Sequence, residues 1–133
     1  MRLRNRSMHT RPLSFACVLA LALIATPVSA DVRLSNDQIL AHVSGNTLKV
    51  VTANLQEARG YFNPDGTLEG RDGDRDFVGK WNVENGMLCM DIPQFENTLC
   101  RKLFVRGDQL LLFTQTGQPA GRIEVTKGNP DLY

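Results

Sequence analysis

The chain has no apolar run long enough to cross a bilayer: the longest, Phe15 to Ala25, is 11 residues, against the roughly 20 that a membrane-spanning helix needs. It has little charge imbalance, with 15 basic and 14 acidic residues, and beyond its first 30 residues no basic patch that would argue for nucleic acid or an anionic membrane surface. Histidine is scarce, with two in the chain, and there is a single tryptophan. No glycine-rich phosphate loop follows a strand pattern, and serine, histidine and acid fall into no recognised catalytic constellation. Catalysis is therefore not expected, and no cofactor is implied. The three cysteines include no C-x-x-C pair, which argues against a zinc site or a redox couple.

What is there begins with an export signal. Arg2, Arg4, Arg6 and Arg11 precede the apolar run without an acid among them, and Thr26-Pro27-Val28-Ser29-Ala30 closes it. A basic, then apolar, then small-residue order is that of a cleavable secretory signal peptide. The expected organisation is a signal over 1–30 and a single small domain over 31–133, periplasmic or secreted, with no membrane insertion after cleavage. Losing four arginines leaves 11 basic residues against 14 acids, a net charge of −3, and nucleic acid is not an expected partner. The 103 residues that remain suffice for one core and not for two. Cys17 leaves with the signal, so Cys89 and Cys100 are the pair, and in an oxidising compartment two lone cysteines are expected to bridge. The mature part keeps one histidine, His42, far from them in sequence, and no metal site is expected.

Ser35-Asn36-Asp37-Gln38 reads as a helix start: Ser35 can cap the amide of Gln38 while Gln38 reaches back, and Asp37 suits the positive end of the helix dipole. Ile39, Leu40 and Val43 form one apolar stripe, and Gly45-Asn46 offers a left-handed stop. From Thr47 the pattern changes to short apolar segments broken by turn signals every 8 to 12 residues or so, as in an antiparallel meander or small barrel. Strands are expected over 47–55, 60–63, 77–84, 87–92, 99–106, 109–114 and 121–126. Pro64-Asp65-Gly66, Asn85-Gly86 and Gly107-Asp108 mark the turns most clearly. The fold class is mainly β, with one short N-terminal helix followed by seven or eight antiparallel strands and one disulfide.

Few residues invite a chemical role. Asp65 and the stretch Glu69 to Asp76 alternate acids with glycines and could be imagined around calcium, but the spacing lacks the glycine and the terminal acid of an EF-hand loop, and Arg71 and Arg75 would neutralise it. A solvated loop is expected there. Arg106-Gly107-Asp108 resembles an adhesion tripeptide but falls where a tight turn belongs. His42 has no partner in sequence. Trp81 sits on a strand facing the same side as Val83, where tryptophan usually plugs a core; it is also the one residue singled out as a candidate ligand contact.

Taken together, Leu34-Ser35…Gly45-Asn46-Thr47, Tyr61-Phe62-x-Pro64-Asp65-Gly66-Thr67, Gly79-x-Trp81-x-Val83, Leu88-Cys89, Cys100 and Gly128-Asn129-Pro130 resemble a family of small, uncharacterised exported proteins of Gram-negative proteobacteria, over nearly all of the mature chain. The resemblance implies a periplasmic or secreted address and a paired cysteine couple, and it transfers no activity. In size, export and β content the chain is also loosely similar to periplasmic inhibitors of proteases and lysozymes. Three classes of function follow as expectations: a non-catalytic envelope binding module, whose partner is an envelope protein or a small ligand; an inhibitor of an envelope hydrolase; and a structural or stress-related envelope protein.

Overall fold

The computed structural model describes residues 22–26, 30–131 and 133. The expected signal peptide falls mostly outside these residues. Among them no helix is long and apolar enough to cross a membrane.

The chain forms β1 (Val32–Arg33), α1 (Asn36–Val43), β2 (Asn46–Val51), β3 (Glu57–Phe62), β4 (Thr67–Asp72), β5 (Arg75–Glu84), β6 (Met87–Asp91), β7 (Leu99–Arg106), β8 (Gln109–Thr114) and β9 (Pro119–Lys127). From β2 to β9 each strand pairs antiparallel with the next, and β9 returns to pair with β2 over Asn46–Lys127 to Val51–Arg122. The result is a closed up-and-down barrel of eight strands, the arrangement that leaves no sheet edge open. The two-residue β1 adds to β7 through Val32–Val105 and Arg33–Phe104, past Lys102, which pairs with the first residue of β6.

Alternation along the strands sends every second side chain into the lumen. Leu48 and Val50 of β2 face Val125 and Ile123 of β9, while Trp81 and Val83 of β5 face Met90 and Leu88 of β6. At one end α1 seals the lumen. Ser35 accepts from the Gln38 amide at 3.3 Å and the Gln38 side chain accepts from the Ser35 amide at 2.9 Å, so the expected capping box is present. A helix of eight residues cannot stand alone in water; it is held by Ile39 and Val43, both fully buried among Leu34, Leu103 and the other core side chains. Two polar ties fix the helix end to the β5–β6 turn: Asn36 Oδ1 accepts from the Gly86 amide at 2.6 Å, and Arg33 donates to the carbonyls of Asn85 and Gly86.

Glycine bends the strands where the wall curves. A side chain on Gly79 would stand 2.5 Å from the Asp91 carbonyl, and one on Gly121 would stand 2.6 Å from that of Val51. At both points the backbones approach too closely for any other residue, which is how a twisted sheet turns the corners that closure requires.

Two expectations need correction. The stretch Glu69 to Asp76 is not a loop: it is the end of β4, a tight turn with Gly73 at φ +59°, and the start of β5. Ladder bonds from β3 and β5 on both sides outweigh its poor strand propensity. The first strand stops at Val51 rather than Leu55, because Thr52 begins a turn in which its hydroxyl and carbonyl are bonded to Gln56 and Leu55.

Candidate ligand-binding site

The helix closes only one end of the lumen. Towards the opposite end, where the β2–β3, β4–β5, β6–β7 and β8–β9 connections lie, the barrel holds a cavity of about 230 Å³. All eight barrel strands contribute to its wall: Leu48, Phe62, Leu68, Phe77, Met90, Leu99, Leu112 and Ala120 stand one on each strand from β2 to β9. The floor is Phe62 and Leu68, both almost completely buried. Space exists because several inward positions are small. Ala58 and Gly60 on β3 and Ala120 on β9 line the cavity, while the Phe77 ring takes up the space that a side chain on Gly70, opposite Gly60, would need.

Arg59 borders the wall with its guanidinium bound to Asp131 at 3.1 Å, and the other polar groups are at the mouth. Thr52, Asp72 and Arg101 line it, and Phe95, from the β6–β7 connection, leans over it with 39% of its surface still exposed. That connection is fastened by the Cys89–Cys100 disulfide, which joins directly opposite residues of β6 and β7 on the outer face of the barrel, with Cα atoms 4.0 Å apart. Glu84 lies close to the two sulfurs, making the one three-donor cluster of metal-binding type among the described residues. Bridged sulfurs are not thiolates, so that cluster offers one carboxylate rather than a site.

Trp81 belongs to the layer beneath the floor. It is 8% exposed, its indole N–H donates to the Asn63 carbonyl at 2.9 Å, and its ring meets Phe62 edge-on with centroids 5.7 Å apart. The Pro64-Asp65-Gly66 turn folds over it, since the Gly66 carbonyl accepts from the Trp81 amide. Trp81 therefore supports the cavity through Phe62 and does not line it. His42 sits on the exposed face of α1, at the far end of the barrel.

Arg101 was not singled out by the sequence, yet the fold turns it inward at the cavity mouth, where it is half-buried while Asp72 is exposed. Its register opposite Leu88 and between Leu99 and Leu103 puts it on the lumen face. The signal was present: in Leu99-Cys100-Arg101-Lys102-Leu103 the alternation assigns Arg101 to the side of the two leucines. Its guanidinium donates to the Cys100 carbonyl at 3.1 Å. Among the described residues it takes part in no ion pair.

Two surface hollows of about 540 Å³ each are larger, but both are open to solvent and bordered by charged side chains. In the first, Arg71 is bound to Asp76 at 2.7 Å and Arg59 to Asp131 at 3.1 Å, so its charges cancel locally. The Arg71 guanidinium holds the Asp76 carboxyl below its usual range. In the second, beside His42, Glu124 is bound to Lys49 at 2.7 Å, which likewise lowers its pKa. An apolar concavity with few polar groups is the better form of a small-molecule site. Neither a scan against protein-family models nor searches of curated proteins and of solved structures gives a match to this chain.

Proposed function

We propose that this protein is an exported, non-catalytic binding module of the cell envelope, periplasmic or secreted, that holds a small apolar ligand in the open end of its barrel. The observation that carries the reading is the apolar lumen of about 230 Å³ opposite the helix. A fully packed small barrel would fill its interior with side chains, whereas here the small residues Ala58, Gly60 and Ala120 stand on the cavity wall and leave volume open. The disulfide supports the address, since such bridges persist in oxidising compartments, and the basic-apolar-small order of residues 1–30 supports the route there. Inhibition of an envelope hydrolase finds less support, because the side chain best placed to project from the bridged loop, Phe95, is partly committed to the cavity mouth.

The test is thermal unfolding of the exported, disulfide-bonded protein with increasing 1-octanol or indole. A ligand that binds the native state alone raises Tm by mass action, and saturable rises are expected. A flat response to both, with Trp81 emission also unchanged, would overturn the assignment of the lumen as a binding site.

A further inference from the structure

Apart from Arg59, the lumen is apolar on every wall except at its mouth, where two charged residues that take part in no ion pair among the described residues, Arg101 and Asp72, line it. Arg101 is half-buried, lines the cavity, and among the described residues has no carboxylate within ion-pair reach. The acid that shares the mouth, Asp72, is exposed on β4, three strands round the barrel from β7, with Arg75 opposite it in register. From the Arg101 side the site therefore presents a planar guanidinium above an apolar pocket, a geometry matched by a carboxylate carrying an apolar tail. We infer that the ligand is a medium-chain amphiphile with a single anionic head, the head at Arg101 and the tail on Phe62 and Leu68.

The volume sets the tail length. At roughly 30 Å³ for each water-sized group, a cavity of about 230 Å³ holds seven or eight such groups, so a straight chain of about eight carbons fits and a long fatty chain does not. Phe95 lies where the head meets solvent and would cover the first methylenes.

This inference rests on the lumen being a binding site, and the experiment separates the two. Binding of octanoate, 1-octanol and octylammonium to the exported protein is measured by calorimetry, alongside Arg101→Gln, Arg101→Lys and Ala58→Phe. The expected result is octanoate about tenfold or more tighter than octanol, with octylammonium weakest. Arg101→Gln should erase that preference and keep octanol binding, Arg101→Lys should retain part of it, and Ala58→Phe should abolish all three by filling the cavity. Should Arg101→Gln not fold, the wild-type ranking and Arg101→Lys decide. Octanol and octanoate binding equally would overturn the anionic head while leaving the cavity a ligand site; binding of neither would remove both.

Discussion

The Phe77 ring occupies the space that a side chain on Gly70 would need: a Cβ there would stand 2.6 Å from Phe77 Cζ and 2.7 Å from Gly60 Cα, and would also run into the Arg59 carbonyl. Two of these obstacles are backbone and cannot swing aside. Gly70→Ala is therefore expected to cost about 3 kcal/mol, the upper end of the usual overpacking penalty, lowering Tm by roughly 10–20 °C for a domain of this size. Gly73→Ala, with open space around it and a left-handed φ of +59°, should cost only about 1 kcal/mol. Equal effects of the two substitutions in urea unfolding would contradict the close approach at Gly70.

Removing the bridge should destabilise the whole domain and loosen the mouth in particular. Cys89 and Cys100 lie 11 residues apart, and closing a loop of that order stabilises by about 3 kcal/mol in the chain-entropy account. Cys100→Ser is expected to lower the urea midpoint accordingly. Hydrogen exchange should rise most over 92–98, a segment held in place by its two ends. In the native protein neither cysteine should react with thiol reagents until denatured.

Acid should weaken the fold through its paired carboxyls. The Arg106 guanidinium, donating from Nε and Nη2 at 2.6 and 2.8 Å, holds Asp31 below its usual range. Arg71 does the same for Asp76 and Lys49 for Glu124. Asp65 is lowered by the hydroxyl and amide of Thr67. A carboxyl whose folded pKa is depressed contributes stability that is fully present above the unfolded pKa and lost as pH falls through the folded one. Tm should thus be level from neutral pH to about 5 and decline below about 4. Because these groups are exposed, the decline should be shallower in 1 M salt, and Arg106→Gln should remove part of it.

Millimolar calcium should leave Tm unchanged. Alternation sends Asp72 inward with Arg75 and puts Asp76 on the outer face with Arg71, so the acids of the β4–β5 hairpin point to opposite sides of the wall. They cannot surround one ion with the six to eight oxygens calcium takes. A rise of several degrees in a thermal scan would show that the hairpin rearranges to bind.

Much of the fold was legible because local signals agreed with the global arrangement. The Ser35 capping box, the Asn85-Gly86 turn with both residues at positive φ, and the Gly107 turn appear where the residues ask for them. The strands β7 and β8 match their expected bounds at both ends. β4 was not legible, because its inward positions are Leu68, Gly70 and Asp72 and its outward ones are polar. Its order comes from neighbours on both sides and from the Phe77 ring lying over Gly70. The cavity was hidden for a related reason. A void is a deficit of volume summed over positions far apart in sequence, such as Ala58, Gly60 and Ala120, and no short window reports it. Arg101 shows the opposite case, a local alternation that does state the facing of a charged residue when read through it.

Ring closure has a consequence for a chain that emerges from its N-terminus. β2 is complete by Val51, yet its second neighbour, β9, begins only at Pro119, and β1 waits for β7. Until the last strand arrives, β2 and whichever strand was most recently laid down both expose unpaired backbone, and α1 has no sealed lumen to seat on. Partial chains are therefore sticky rather than partly native, and the period between the appearance of β2 and that of β9 is when this molecule most needs shielding from its own kind.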